Sequence, residues 1–169
     1  MNAERAPILE LLAQCRADME AMEQAARELA ALRSQAPHPV EGSREVILHG
    51  YNLHQWYNAA ENALLRIARH FGNEIERTEW HRGLLERLKL EVPRLRPRVI
   101  REVTFEHLNA LRGFRHVFRH TYGYALKWAL MAPNVERLPD AHRALTEDLD
   151  RFFAFLQGLA GEVETKKEK

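Results

Sequence analysis

The chain has 169 residues, of which 46% are hydrophobic and 29% charged, and its formal net charge is +1. This length suits one buried core, so residues 1–169 are predicted to form a single globular domain rather than a disordered chain. The apolar runs are only a few residues long, and no apolar leader follows the N-terminus. We therefore expect a cytoplasmic protein without membrane segments.

The basic residues are unevenly divided, with 20 arginines and 5 lysines. The planar guanidinium group matches the oxygens of a phosphate better than the point charge of lysine does. The net charge is nevertheless close to zero, so no overall field attracts nucleic acid. A binding site for RNA would have to be a local patch.

Apolar residues recur at intervals of three and four, which predicts helices and no strands. Proline, glycine and capping residues divide the chain into five predicted helices, which run from about Pro7 to about Leu32, from Ser43 to Gly72, after Thr78, from about Arg98 to His120, and from Asp140 onward. Residues 1–35 thus hold an N-terminal helix, residues 131–139 are predicted to be a loop, and residues 162–169 a frayed charged tail. Short connections predict an all-α, up-and-down antiparallel bundle of about five helices.

Each predicted helix carries an inward-facing apolar stripe. The residues expected on these stripes include Cys15, Trp80, Ile100, Val103, Leu111, Phe114, Phe118, Leu145, Leu149, Phe152 and Val163. Cys15 is the only cysteine, so this position predicts a buried, unreactive thiol rather than a nucleophile.

A stretch near the end of the fourth predicted helix, LRGFRHVFRHTYGY, is richer than any other in side chains that bind or move charge. Arg115 and Arg119 share one face of a helix, and His116 and His120 share another. Arg115 and His120 are about 140° apart on an ideal helix. They can converge only if the helix ends at His120 or the arginine reaches across, and Gly123 favours an end near His120.

The sequence RHVFRHTY, from Arg115 to Tyr122, resembles the RX4HXY motif of HepT-like toxins in the HEPN superfamily, including the polar residue that follows the arginine. The flanking sequences are also similar, and the resemblance covers about residues 42–163. It implies a HEPN-like bundle and a metal-independent endoribonuclease with no cofactor, in which Arg115 and His120 are catalytic. It also implies a homodimer, an RNA substrate, and a partner minimal nucleotidyltransferase that attaches AMP to Tyr122 and blocks the nuclease.

The residue types suit this chemistry. Imidazole has a pKa of about 6.5, so His120 can transfer protons at neutral pH. Arg115 stays charged and can hold two phosphate oxygens, which stabilises the transition state. One motif supplies one histidine with this role, so a second must come from elsewhere, and the resemblance implies that it comes from another copy of the chain. Arg112, His116 and Arg119 are expected to support the site, Arg112 and Arg119 as contacts to RNA phosphates or as a solvated helix face.

A second stretch has the same spacing: Arg44, His49 and Tyr51 also fit the pattern. It is the weaker match because Glu45 follows the arginine and because the stretch opens a helix instead of closing one. His116 and His120 have the spacing of a zinc pair, but no further ligand is suitably placed, so no metal site is predicted.

Simpler roles remain open for the individual residues. His120 could cap a helix C-terminus, Arg115 could pair with an acid such as Glu61 or Glu106, and Tyr122 could pack at the rim of the bundle. Two other functions also remain open. One is a non-catalytic HEPN-like module that binds a nucleotidyltransferase or a nucleotide and needs Arg115 but not His120. The other is a helical interaction protein in which the Arg-His stretch is incidental.

Overall fold

The computed structural model describes the backbone of residues 5–72, 80–120 and 126–165, and the side chains of these residues other than 80–82, 115–120 and 162–165. This part of the chain forms five helices and no strand: α1 (Ala6–Gln35), α2 (Arg44–His70), α3 (Trp80–Lys89), α4 (Glu102–His120) and α5 (Trp128–Thr165). The all-α prediction is confirmed. None of these helices combines the length and the apolar character that a bilayer span requires.

The helices α1 and α2 form an antiparallel hairpin. Pro7 lies in the first turn of α1, where its missing N–H costs little, and Ser43 caps α2 by accepting a hydrogen bond from the Val46 N–H at 3.4 Å. Residues 15 and 63 meet in the hairpin, where the Cys15 thiol lies 3.7 Å from the carbonyl oxygen of Ala63. Cys15 is fully buried, as predicted.

The remaining helices complete the up-and-down bundle. Helix α5 packs against α1, α2 and α4, and the short α3 packs against α2 and α4. Trp56 contacts His142 and Phe71 contacts Phe152, so α5 runs parallel to α2. The short connection between α4 and α5 makes that pair antiparallel, and α4 is therefore antiparallel to α2. One buried apolar cluster contains residues from all five helices.

The start of α4 is fixed by a buried carboxylate of α5. Asp148 is fully buried and accepts hydrogen bonds from the Arg101 backbone N–H at 2.7 Å, from Arg101 Nε at 2.6 Å and from Thr104 Oγ1 at 2.6 Å. Helix α4 begins at Glu102, a few residues later than predicted. Ile100 is buried, but it precedes the helix.

The prediction of a loop at residues 131–139 is wrong, as is the start of the last helix at Asp140. Helix α5 begins at Trp128 and contains both Pro133 and Pro139 in its interior. Both prolines point to the exposed side. The buried stripe continues through them without a change of period, and it comprises Met131, Val135, Leu138, Ala141 and Leu145. Burial of this stripe outweighs the cost of about 3 kcal/mol that an interior proline imposes.

Val103 was also expected to face inward, and 44% of it is exposed. The buried face of α4 is formed instead by Thr104, Leu108, Leu111 and Phe114. The expected core positions Trp80, Phe118 and Val163 lie outside the described side chains. Residues 162–165 of the expected tail continue α5, and residues 166–169 lie outside the described chain.

Candidate functional site

The Arg-His stretch lies at the C-terminal end of α4, where the sequence placed it. The backbone is helical from Glu102 through His120, and residues 121–125 lie outside the described chain, so the predicted helix end near His120 stays a prediction. The helix does not unwind between Arg115 and His120, so the angle of about 140° between the two positions is retained. Within one chain, the two groups can therefore meet only through the reach of the arginine side chain.

The direct contacts of the predicted site residues lie outside what the structure describes. This applies to the side chains of Arg115, His116, Arg119 and His120, and to the whole of Tyr122, which lies within residues 121–125. Their assignments stay predictions. The backbone and the surrounding side chains nevertheless define the frame in which these residues act.

The helical register of α4 gives positions 115 and 120 different surroundings. Positions seven residues apart are about 20° apart around a helix. Position 115 therefore falls on the face of Leu108, which is buried, and position 120 falls on the face of Gly113, which is exposed. The arginine position belongs to the bundle side of α4, and the histidine position belongs to the outer side.

Arg112 is the one arginine of this stretch whose side chain the structure describes. It is half-buried, and its Nε donates to Asn109 Oδ1 at 3.2 Å within the same helix. Position 119 follows it by seven residues and lies on the same face. Arg112 and position 119 thus form a basic edge between the buried and the exposed sides of α4.

Glu61 of α2 is a buried acid that faces α4. It is 7% exposed and lines a small cleft between α2, α3 and α4, together with Tyr57, Leu84 and Leu108. Glu106, the other acid considered as a partner of Arg115, is exposed. Position 106 lies about 180° from position 115 around α4. Of the two acids, only Glu61 is on the side of α4 that position 115 faces.

The rival stretch around His49 has a structural role. His49 is fully buried, its Nδ1–H donates to the Glu45 carbonyl oxygen at 2.7 Å, and its ring meets the Trp128 ring edge-on at 4.9 Å between centroids. Tyr51 is 49% exposed and its hydroxyl accepts a hydrogen bond from Gln55. A histidine held in this way inside the bundle is closed off from RNA.

Sequence reasoning missed the contact that fixes the start of α5. Both carboxylate oxygens of Glu41 accept a hydrogen bond from the Trp128 backbone N–H, at 2.9 and 3.0 Å. This contact ties the connection between α1 and α2 to Trp128, the first residue of α5. Trp128 lies shortly after the expected motif tyrosine, Tyr122. The two partners are 87 residues apart, so no local pattern could have indicated the contact.

A second missed contact links three helices. Trp56 Nε1–H donates to His142 Nδ1 at 3.1 Å, and His142 Nε2–H donates to Glu23 at 2.8 Å. Glu23 and His142 also line a groove of about 630 Å³ between α1 and α5. Among the side chains of α4 that the structure describes, 102–114, none lines this groove.

The structure also bears on metal binding. Among the described residues, no three His, Cys, Asp or Glu side chains come together in a group that could hold a metal ion. The pair His116 and His120 lies outside the described side chains, so the prediction for this pair is untested. Burial raises the pKa of the Cys15 thiol to about 12, with a smaller contribution from Asp18. At neutral pH the Cys15 thiol therefore stays protonated in the core.

Comparison with known proteins gives one result. A family model described as a HepT-like protein matches residues 48–156, more than half of the chain. The matched span contains all of residues 115–122, whereas Arg44 of the rival stretch lies before it. Searches among curated proteins and among solved structures found no match.

Proposed function

Because this chain belongs to the HepT-like family of the HEPN superfamily, we propose that it is a metal-independent endoribonuclease toxin with Arg115 and His120 as its catalytic residues. One observation carries the proposal: the family match contains the whole Arg-His stretch. The buried position of His49 supports the choice between the two stretches.

The proposed reaction is transesterification. His120 takes the proton from a ribose 2′-hydroxyl, and the 2′-oxygen attacks the adjacent phosphorus atom. The bond to the 5′-oxygen breaks, and an acid returns a proton to that oxygen. The products are a 2′,3′-cyclic phosphate and a 5′-hydroxyl. Arg115 stabilises the negative charge that builds up on the phosphate oxygens.

A second copy of the chain supplies the second histidine. The register of α4 separates positions 115 and 120, and position 120 belongs to the outer side of the helix. A symmetric homodimer would bring the outer sides of two α4 helices together, with both motifs around one phosphate. The arginine and the histidine at one scissile bond need not then come from the same chain.

Control by a partner minimal nucleotidyltransferase is part of the proposal. AMP attached to Tyr122 would add bulk and a negative charge close to the catalytic arginine, and would compete with RNA for that positive charge. The matched control is Tyr51, which ends the rival stretch and is 49% exposed. Tyr122→Phe is expected to abolish AMP incorporation by the partner enzyme, measured by mass spectrometry, and Tyr51→Phe to leave it unchanged. The reverse result would move the control point to α2.

The test of the nuclease is RNA cleavage by purified protein in the presence of a chelator. His120→Ala is expected to lower the rate by about 10²–10⁴-fold, the usual contribution of a general acid or base. His38→Ala is the matched control, because His38 is exposed and follows Arg33 at the same spacing. Equal rates for the two variants would remove His120 from the mechanism, and activity abolished by the chelator would remove the metal-free scheme. Absence of cleavage in the unmodified wild-type protein, with nucleotide binding retained, would favour the non-catalytic module.

The shared site has its own test. Arg115→Ala and His120→Ala chains are each expected to be inactive. Unfolded together and refolded as a mixture, they should regain a small part of the activity, because a mixed dimer brings one intact arginine and one intact histidine to the same interface, although it lacks the second histidine. A mixture as inactive as its two components would contradict a site shared between chains.

A further inference from the structure

Glu61 lies in surroundings that do not favour a carboxylate. It is 7% exposed, and its neighbours around the small cleft are mostly apolar: Ala60, Leu64, Leu84, Leu85 and Leu108. Removing an ionised carboxylate from water costs several kcal/mol unless a cation and further hydrogen bonds compensate. A charge at this position therefore points to a positively charged group close to the cleft.

The register and direction of α4 indicate which group this is. Position 115 is on the same face of α4 as Leu108, which lines the cleft with Glu61, and lies about 10 Å further along the helix axis. Side chains lean toward the N-terminus of their own helix. Because α2 and α4 are antiparallel, the side chain of Glu61 leans toward the level of position 115.

From this juxtaposition we propose that Glu61 pairs with Arg115 and holds its guanidinium group in place. The role of the pair in cleavage rests on the proposed function, whereas the pair itself does not. Arginine has five N–H donors, and a carboxylate in bidentate contact uses two of them. The remaining donors can contact a phosphate. Glu61 is thus a positioning residue, one that acts on RNA only through the arginine.

Arg112 is the other candidate cation, and it provides the control. Its position is one turn after Leu108, but its Nε donates to Asn109, which lies about 100° around α4 from Leu108. An Arg112→Ala variant removes the same type of side chain from the same helix. If Glu61 pairs with Arg115, the change in Tm caused by Arg112→Ala is expected to be the same with and without Glu61.

The pair is tested by a double-mutant cycle on thermal stability. Glu61→Gln and Arg115→Ala are each expected to lower Tm by roughly 5–15 °C, because each leaves a buried partner unpaired. The double variant should lose little more than the worse single variant. Glu61→Gln combined with Arg112→Ala should show additive losses. Additivity in the first cycle, or coupling in the second cycle instead, would overturn the pairing.

A further variant keeps the test decisive if a single variant fails to fold. In Glu61→Met/Arg115→Met, an apolar pair of similar volume replaces the two charges, and such replacements are often neutral or stabilising. Its Tm is expected to exceed that of either single methionine variant. A Tm below both would contradict a buried ion pair.

Cleavage kinetics test the positioning role. Glu61→Gln is expected to lower kcat by about 10–100-fold with a smaller change in KM, because misplacing a catalytic group by about 1 Å costs up to about 10²-fold. Glu106→Gln, on the exposed side of α4, should leave both constants unchanged. Coupling in the stability cycle without any RNA cleavage would support the pair and contradict the proposed nuclease. Cleavage that depends on Arg115 but not on Glu61 would support the nuclease and contradict the positioning role.

Discussion

Replacement of Asp148 by alanine is expected to destabilise the protein strongly, because this carboxylate fixes the start of the helix that carries the Arg-His stretch. It is fully buried and accepts hydrogen bonds of 2.6–2.7 Å from Arg101 and Thr104. The contact also affects Arg101, because the hydrogen bonds of its side chain to Glu147 and to Asp148 raise its pKa.

The size of the effect follows from what the substitution leaves behind. Breaking a buried ion pair, here Asp148 with Arg101, costs about 3–5 kcal/mol. A buried hydroxyl left without a partner, here that of Thr104, costs about 1–3 kcal/mol. The two costs are not additive, because both groups bind the same carboxylate. The side chain of Arg101 is 38% exposed and can regain water. We therefore expect the free energy of unfolding to fall by about 3–4 kcal/mol. At about 2–4 °C per kcal/mol for a chain of this size, Tm would fall by roughly 6–16 °C.

Glu147→Ala is the matched control. Glu147 contacts the same arginine at 2.7 Å, but its side chain is 55% exposed, so its removal is expected to cost at most about 1 kcal/mol. Thermal and urea denaturation of both variants measure the difference. Equal losses for Asp148→Ala and Glu147→Ala would refute the reasoning that burial of the carboxylate makes this contact strong.

Three further predictions follow from contacts elsewhere in the bundle. Pro139→Ala is expected to raise the free energy of unfolding by about 1–2 kcal/mol, because alanine restores a helical hydrogen bond while the unfolded chain gains some freedom; a lower Tm would contradict a continuous α5. Cys15, whose thiol pKa is raised to about 12, should react with iodoacetamide at pH 8 only after unfolding, and labelling of the folded protein at the rate of the unfolded chain would contradict this burial. The stability that the buried neutral thiol contributes should be lost as the pH rises above about 9, because the unfolded chain then loses the thiol proton first. Glu41→Gln is expected to cost about 0.5–1 kcal/mol in urea denaturation by weakening the cap on Trp128, and an unchanged midpoint would contradict that role.

Periodicity in the sequence predicted most of the fold because each helix is long enough for a burial stripe to stand out. The stripe through Cys15 and the cap at Ser43 placed α1 and α2 close to their observed limits. The first three turns of α5 were missed because Pro133 and Pro139 were taken as breaks. The buried residues Met131, Val135 and Leu138 continue the stripe across them, and burial decides the conformation.

The candidate site was predictable only in its local part. The position of the Arg-His stretch on a helix could be read from the chain, since the apolar stripe of α4 leads into it. Asp148 and Glu61 could not be identified in this way, because their importance comes from burial against α4, and burial depends on how distant helices pack. The buried position of His49 separates two stretches of equal spacing, and the sequence did carry a sign of it, because His49 shares a helix face with Val46 and Leu53.

The most direct measurement compares two double variants in RNA cleavage, followed by the appearance of 2′,3′-cyclic phosphate ends. Arg115→Ala/His120→Ala removes the pair at the end of α4. Arg33→Ala/His38→Ala removes two exposed residues of the same types at the same spacing. The first variant is expected to form no cyclic ends above background, and the second to match the wild-type protein. Cyclic ends formed at the wild-type rate by the first variant would show that the catalytic groups lie elsewhere.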